Sequence, residues 1–301
     1  IEQIARLVHS HDMILMVDEA HGAHLSFSSC LPKGAMEADA DICVQSAHKT
    51  LPALTQGAYL HVKSSRVDIE RLEFFLDLLQ TTSPSYIIMS MLDVARCIMA
   101  EEGTGLLKSL LAGINSLETL IDECPGLRLL KEKDILGGSL DRTRIVVNLK
   151  ELGRTGYETE KILYDTYNIQ VDMSDFYNIV CIATVADGAE ELDRLGNSLT
   201  DFCNSFRAKQ PLPDKYVRRI QLPKQAMELV DAKNTKYSKL PLDKAVGRIS
   251  RSIITPYPPG IPLVCPGEII MEETAEYIYN IIKFGGNVNG LNGDMEVFVI
   301  D

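Results

Sequence analysis

Two short apolar segments near the start of the chain each end in polar and charged residues. Met13–Val17 runs into Asp18-Glu19-Ala20-His21, and Ala40–Gln45 runs into Ser46-Ala47-His48-Lys49-Thr50. A helical pattern of apolar residues at Ile1–Ser10 precedes the first segment. This alternation of helix and strand predicts an α/β sheet, and such sheets bind their ligands beyond the carboxyl ends of the strands.

A carboxylate at the end of one strand and a lysine just past the next favour a site for pyridoxal 5′-phosphate. Lys49 would hold the aldehyde of this cofactor as a Schiff base, and Asp18 would pair with its ring nitrogen. A lysine used in this way must be able to lose its proton, which a short turn between apolar strands allows. Ser46 and His48 could reach a phosphate from the same turn.

The residues beside Asp18 fit the same interpretation. Ala20 is small enough for a flat ring to lie beside the backbone, and His21 could contact the ring's phenolic oxygen or a substrate carboxylate. His21 and His24 also have the i, i+3 spacing of a metal pair, but no third ligand follows in a recognised spacing, so we predict no metal site. Taken alone, Asp18 fits a helix cap equally well and Lys49 fits a surface loop. The occurrence of both residues at neighbouring strand ends favours the interpretation as a cofactor site.

The letters Asp18-Glu19-Ala20-His21 also spell the DEAH box of helicases, in which the acidic pair binds magnesium and the catalytic water. Such an ATPase needs a glycine-rich phosphate loop ending in Gly-Lys-Ser or Gly-Lys-Thr. This sequence has none, although a segment before Ile1 could hold one. Ser46-Ala47-His48-Lys49 is only a loose match to the Ser-Ala-Thr motif of helicases. The helicase interpretation is therefore the weaker one.

Composition and charge argue against several other classes of protein. A formal net charge of −12 argues against binding to nucleic acids or anionic membranes, which needs clustered Lys and Arg. No apolar run approaches the ~20 residues of a membrane-spanning helix. The seven cysteines are dispersed and form no CxxC pair, which predicts reduced thiols and a cytoplasmic protein.

The hydrophobic pattern changes twice along the chain, which predicts three parts. We predict that residues 1–124 are the C-terminal part of a large cofactor-binding domain, 125–210 a small α/β domain and 211–301 a C-terminal domain of mixed character. Ala208–Asp214 contains two prolines and is the predicted linker before the last part. Because a helical pattern starts at Ile1 itself, we expect the N-terminal part of the large domain to be missing.

Several helices are predicted within the first part. Val67–Leu79 has apolar residues at helical spacing. Ser83 and Pro84 then supply an N-cap and a first-turn proline for a further helix, which can run to about Glu102. The glycines that follow Glu102 predict an interruption before the next helix, Leu106–Asp122.

Four motifs follow one another along the chain: Val17–His24, Gln45–Pro52, Thr81–Tyr86 and Pro256–Pro262. Together they resemble the ornithine/lysine/arginine decarboxylases of bacterial type, which are fold-type I pyridoxal phosphate enzymes of the aspartate aminotransferase superfamily. The resemblance spans almost the whole chain, and the proline-rich last motif separates this group from ordinary aminotransferases. It implies a truncated fold-type I large domain, a small α/β domain and a C-terminal α+β decarboxylase domain.

The resemblance also implies roles for single residues. Lys49 matches the Schiff-base lysine and Asp18 the partner of the ring nitrogen, and with His21 they are the expected catalytic residues. Thr82 and Ser83 match a loop that in this family approaches the active site of the neighbouring subunit. A homodimer or larger homo-oligomer with a shared site is therefore implied. The positions expected to contact the cofactor are Lys49, Asp18, Ala20, His21, Ser46, His48, Thr82 and Ser83.

The activity implied by the resemblance is decarboxylation of a basic L-amino acid to an amine and carbon dioxide, in polyamine biosynthesis. Arginine is the first expectation for the substrate, with lysine and ornithine as rivals. An aminotransferase or aldolase on the same fold is the alternative. The family's phosphate-binding loop and ring-stacking histidine would lie before Ile1, so we expect this chain alone to be inactive.

Overall fold

The computed structural model describes residues 1–206, 208, 210–214 and 221–301. The chain divides into two compact units, named unit 1 and unit 2. The residues of unit 1 are 1–119, 131–144 and 183–196, and those of unit 2 are 120–130, 145–182 and 197–301. Each unit draws on several stretches of the chain, so the three-part division with bounds at 124/125 and 210/211 stays a prediction.

The sheet of unit 1 places the ends of two strands side by side. Its strands are β1 (Met16–Asp18), β2 (Ile42–Gln45) and β3 (Tyr59–Val62), in that order across the sheet. β1 and β2 are parallel, with Asp18 opposite Val44, whereas β2 and β3 are antiparallel. The carboxyl ends of β1 and β2 therefore lie at the same edge of the sheet, as the sequence predicts.

β1 and β2 begin later than the predicted segments, and the buried carboxylate of Asp41 lies just before β2. Leu15 N donates to Asp41 Oδ2 at 2.8 Å. Asp41 also bonds to His9 Nε2 at 2.8 Å and to Arg66 Nη1 at 3.3 Å. Burial alone would raise the pKa of Asp41, but its hydrogen bonds outweigh burial and hold the pKa well below the ordinary value. The ionised Asp41 thereby joins helix α1 (Glu2–Ser10) to the start of β2.

Unit 1 contains further helices, which follow β2 or β3 along the chain. They are α2 (Ala47–Thr50), α3 (Ile69–Leu79), α4 (Tyr86–Glu101) and α5 (Gly103–Asp122, whose last residues belong to unit 2), with a 3₁₀ turn at Leu25–Phe27. Near the sheet, the apolar core combines three buried residues with three partly buried ones. They are Ala35, Ala40 and Cys43, and Leu15, Val17 and Met36.

Two predicted helix boundaries are wrong. Ser85, not Ser83, is the N-cap of α4, because its side chain accepts a hydrogen bond from the amide three residues later at 3.4 Å. Pro84 therefore lies before the helix rather than in its first turn. α5 begins at Gly103, three residues earlier than predicted. Glu102 N donates to the carbonyl oxygen of Ile98 in α4, and Leu106 N donates to that of Glu102, so the two helices follow one another directly.

Unit 2 contains a four-stranded sheet. The strands are β4 (Arg128–Leu129), β5 (Arg144–Asn148, whose first residue belongs to unit 1), β6 (Met173–Ser174) and β7 (Asn178–Ile182). Their order across the sheet is β4-β5-β7-β6. Helix α6 (Gly156–Tyr167) begins with a capping box of Thr155 and Glu158. The other elements of this region are α7 (Ala189–Phe206, which starts in unit 1) and 3₁₀ turns at Glu132–Asp134 and Lys150–Leu152.

The last part of unit 2 has an apolar core of its own, as the predicted α+β character requires. This part contains two antiparallel strand pairs and three helices. They are β8 (Tyr237–Pro241) with β11 (Glu296–Ile300), β9 (Thr255–Pro256) with β10 (Val288–Asn289), and α8 (Leu229–Asn234), α9 (Leu242–Ala245) and α10 (Glu272–Lys283). The buried residues of the core are Leu242, Ala245, Ile254, Val264, Ile270, Ala275, Ile278, Val297 and Val299. Within the described residues, no helix is both long and apolar enough to cross a membrane.

Candidate active site

The carboxyl ends of β1 and β2 place Asp18 and Lys49 at the same edge of the sheet. Asp18 ends β1 opposite Val44, and Lys49 lies in α2, directly after β2 and Ser46. The Asp18 side chain is exposed, and its Oδ1 accepts a hydrogen bond from Ala20 N at 3.0 Å. Asp18 therefore also shapes the turn after β1. Its Oδ2 makes no hydrogen bond to the rest of the described chain.

The amino group of Lys49 contacts an imidazole. Lys49 Nζ lies 3.2 Å from His21 Nε2, and both side chains are exposed. An ammonium group can only donate, so His21 accepts at Nε2 whenever Lys49 is protonated. No carboxylate among the described residues pairs with Lys49. An amine that contacts an imidazole and no described carboxylate could bind an aldehyde, and the exposed carboxylate that ends β1 at the same sheet edge could bind a ring nitrogen.

Glu19 lies between these exposed residues in the sequence, yet it is buried. Its Oε1 accepts from Ala35 N at 2.7 Å, and its Oε2 accepts from Gln45 Nε2 at 2.7 Å and from Cys43 Sγ at 3.6 Å. Burial and the nearby carboxylate raise the pKa of the Cys43 thiol to about 12, so it stays neutral. Because Glu19 is used inside the protein to join β1 to β2, it is not part of an exposed acidic pair of the DEAH type.

The remaining residues predicted at this edge lie next to the contacts just described. His48 Nδ1 lies 2.9 Å from the carbonyl oxygen of Gly57, which only accepts, so Nδ1 carries the hydrogen. Ser46 is half-buried at the start of α2, and Ala20 is half-buried after Asp18. The sheet edge thus brings together six predicted residues: Asp18, Ala20, His21, Ser46, His48 and Lys49.

Thr82 and Ser83 are not joined to this edge by contacts within the described chain. Both are exposed in the loop between α3 and α4. Ser83 N donates to Thr81 Oγ1 at 3.2 Å, which is a local turn contact. Their expected approach to the site of a neighbouring subunit stays a prediction.

His21 and His24 turn to different partners. Whereas His21 contacts Lys49, His24 is buried, and its Nε2 lies 3.2 Å from Asp141 Oδ2 and 3.1 Å from Thr143 Oγ1. In the part of the chain that the structure describes, no group of three or more His, Cys, Asp or Glu side chains could hold a metal ion.

Sequence reasoning missed the buried partners of the site. One signal existed for Glu19: side chains of consecutive strand residues point to opposite faces, so one of two adjacent acidic residues at a strand end can turn inward. No comparable signal links His24 to Asp141, which lies 117 residues further along the chain. Asp141 and Thr143 are ordinary polar residues before a strand when the sequence is read alone.

Known proteins resemble this chain along most of its length. Two family models match it: "Orn/Lys/Arg decarboxylase, major domain" over residues 1–140 and "Orn/Lys/Arg decarboxylase, C-terminal domain" over residues 210–299. The arginine decarboxylase of Bacillus anthracis is 38% identical over 301 residues, which cover 96% of this chain and 60% of that enzyme. The arginine decarboxylase of Bacillus subtilis is 37% identical over 296 residues, with the same shares of each chain covered.

A solved structure shows that the fold is shared as well. The crystal structure of the Francisella novicida lysine decarboxylase LdcF matches with a TM-score of 0.77 and 21% identity, covering 95% of this chain and 53% of that one. The chain spans 60% of the length of the two curated relatives named above. One family model includes the edge with Asp18 and Lys49, and the other includes the C-terminal core. The sheet edge, the C-terminal core and these matches agree, and the chain belongs to the Orn/Lys/Arg decarboxylase family.

Proposed function

We propose that this chain carries active-site residues of a pyridoxal 5′-phosphate-dependent decarboxylase of basic L-amino acids. The observation that carries the proposal is the 3.2 Å contact between Lys49 Nζ and His21 Nε2 at the sheet edge where Asp18 ends β1. Arginine is the proposed substrate, because relatives named arginine decarboxylase are 38% and 37% identical to the chain. Lysine and ornithine are the rival substrates. The products are the amine and carbon dioxide, in polyamine biosynthesis.

Lys49 is the proposed attachment point of the cofactor. When bound, pyridoxal 5′-phosphate supplies an aldehyde for amines and a ring that withdraws electrons from the substrate. An ammonium group cannot attack an aldehyde, so Lys49 must first lose a proton. His21 Nε2 is within hydrogen-bond distance of Nζ and is the proposed acceptor of that proton.

Asp18 is the proposed partner of the ring nitrogen. Its Oδ1 accepts a hydrogen bond from Ala20 N in the turn after β1. Its Oδ2 accepts none from the described chain and could accept one from a ring N–H. A carboxylate at this place keeps a pyridine nitrogen protonated, which strengthens electron withdrawal. Ala20 leaves room for a flat ring, and Ser46 and His48 are the proposed contacts to the phosphate or to other cofactor atoms.

The test is product analysis on the full-length protein that contains this chain. It is incubated with pyridoxal 5′-phosphate and, in turn, L-arginine, L-lysine or L-ornithine. Carbon dioxide and the amine in equal amounts are the expected products, with arginine turned over fastest. A keto acid would indicate the aminotransferase alternative, and neither product would overturn the proposal.

A matched pair of lysine variants links the products to the site. Lys49→Ala should lower carbon dioxide release by on the order of 10³-fold or more, because the nucleophilic amine is gone. Lys63→Ala removes an exposed lysine directly after β3 and should leave the rate unchanged. Equal rates for the two variants would contradict the assignment of Lys49.

We also propose that the enzyme is a homodimer or larger homo-oligomer in which Thr82 and Ser83 reach the neighbour's cofactor. The two helices that flank this loop expose large apolar side chains, which supports an interface here, since such patches commonly mark interaction surfaces. The most exposed of these side chains are Phe74 at 60%, Leu78 at 64%, Leu79 at 77%, Tyr86 at 79% and Ile87 at 71%.

Subunit mixing tests the shared site. Full-length Lys49→Ala protein is mixed with full-length protein in which Thr82 and Ser83 are both replaced by alanine. If the site is shared, each hybrid dimer contains one site with both intact parts. Random mixing makes about half of the dimers hybrids, so activity should recover to roughly a quarter of the wild-type value. No recovery despite proven subunit exchange would refute the shared site.

A further inference from the structure

The turn that carries His21 is held by residues far away in the sequence. Arg144 Nη2 donates to the carbonyl oxygen of His21 at 3.0 Å. His24 is only 2% exposed, and its Nε2 contacts Asp141 Oδ2 at 3.2 Å and Thr143 Oγ1 at 3.1 Å. All of these residues belong to unit 1. Both ends of the segment from His21 to His24 are therefore hydrogen-bonded to Asp141–Arg144, the stretch that leads into the first residue of β5.

The hydrogen bonds around Asp141 fix the orientation of the His24 ring. Asp141 Oδ1 accepts from Thr143 N at 3.0 Å and from Thr143 Oγ1 at 2.7 Å. Because this uses the single hydroxyl hydrogen of Thr143, the hydrogen in the His24 contacts is on Nε2. Burial alone would raise the pKa of Asp141, but the hydrogen bonds from His24 and Thr143 outweigh burial and keep the pKa below its ordinary value. Asp141 thus accepts as a carboxylate.

The backbone between His21 and His24 has little room to adjust. Gly22 N donates to the carbonyl oxygen of Glu19 at 2.9 Å, and Leu25 N donates to that of Gly22 at 3.0 Å. A Cβ on Gly22 would lie 2.4 Å from Glu19 Cγ, so the turn packs directly on this buried side chain. A shift of His24 must therefore move the backbone of His21.

We propose that Asp141 and Thr143 are positioning residues for His21. They hold His24, and with it the turn, so that the exposed His21 imidazole stays within hydrogen-bond distance of Lys49. A displaced backbone would leave Lys49 Nζ without its proton acceptor, because the reach of an imidazole is set by few rotamers. This inference rests on the proposed function, in which Lys49 loses a proton before it links to the cofactor.

The test measures how fast Lys49 links to pyridoxal 5′-phosphate added to cofactor-free, full-length protein, followed by absorbance in a stopped-flow instrument. Thr143→Val removes the hydroxyl with little change of shape, and Asp141→Asn removes the charge. Each should slow linking about tenfold, a part of what a positioned base contributes. In a His21→Gln background the same substitutions should cause no further slowing.

Two control variants separate positioning from a general structural role. Thr143→Ser keeps the hydroxyl and should link at the wild-type rate. Arg142 lies between Asp141 and Thr143 in the sequence, but its side chain donates to Glu118 Oε1 and Asn115 Oδ1 and not to the turn. The Arg142→Gln protein should therefore also link to the cofactor at the wild-type rate. Thermal unfolding shows whether each variant is folded. If Asp141→Asn does not fold, the comparison of Thr143→Val with Thr143→Ser decides.

Two results would overturn the inference. One is equal slowing by Thr143→Val with His21 and without it, which would mean that the effect does not pass through His21. The other is no slowing at all in folded variants. A wild-type protein that forms no link at Lys49 would refute the proposed function itself, so the two failures can be told apart.

Discussion

The sheet edge of unit 1 has an exposed set of residues and a buried set, and they alternate along the same short segments. Asp18, His21 and Lys49 are exposed, whereas Glu19 and His24 are buried. The side chains of the exposed residues lie at the surface: Asp18 accepts a hydrogen bond from Ala20 N, and Lys49 Nζ contacts His21 Nε2. Groups suited to chemistry are thus left accessible.

The buried set makes the contacts that fix the backbone. Glu19 accepts from Ala35 N and Gln45 Nε2, and His24 bonds to Asp141 and Thr143. Hydrogen bonds to buried polar side chains are costly to lose, while exposed side chains contribute little to stability. The comparison therefore predicts that substitutions in the exposed set lower activity and leave stability unchanged. Substitutions in the buried set should lower stability first.

After Lys49→Ala, the largest loss of activity is expected for Asp18→Asn. The amide oxygen can still accept from Ala20 N, so the turn and the melting temperature should be kept. Loss of the charge at the ring nitrogen should lower turnover by roughly 100-fold, while the link at Lys49 still forms. Steady-state kinetics, absorbance of the bound cofactor and thermal unfolding of the full-length protein measure the three quantities.

Asp12→Asn is the matched control for this variant. Asp12 is an exposed aspartate before β1 with φ 55°, a conformation that asparagine tolerates well. The control removes the same charge outside the site and should keep full activity. A near-normal rate for Asp18→Asn would mean that Asp18 serves only the turn.

A smaller effect on activity and a larger one on stability are expected for Glu19→Gln. The new amide would point N–H groups toward Ala35 N or Gln45 Nε2, which are themselves donors. Losing hydrogen bonds to a buried charge costs about 2 kcal/mol, which should lower Tm by roughly 5 °C. Glu37→Gln, an exposed glutamate, is the control. Unchanged Tm with lost activity would place Glu19 in the chemistry instead.

The exposed set could be predicted from the sequence because its logic is local. Polar residues directly after two buried strands must lie at a strand end, and the parallel pairing of β1 with β2 then brings Asp18 and Lys49 to one edge. The prediction of where α4 starts was wrong for a similarly local reason: Ser83 and Ser85 are equally good caps by residue type. Only the hydrogen bond that Ser85 Oγ accepts from Ile88 N distinguishes them.

The buried set could not be predicted because its partners are distant in the sequence and ordinary in type. Glutamate is rarely buried, and the donors to Glu19 lie 16 and 26 residues away. Asp141 is one of many aspartates in an acidic chain, and a single sequence does not reveal that it meets His24. Such pairs become visible only when the strands have been placed.

The most direct test of the account is to locate the lysine that binds the cofactor. The full-length protein, loaded with pyridoxal 5′-phosphate, is reduced with borohydride, digested and analysed by mass spectrometry. The account predicts the cofactor mass on the peptide that contains Lys49, and no such mass on the Lys49→Ala protein. Attachment at any other lysine of the wild-type protein would contradict it.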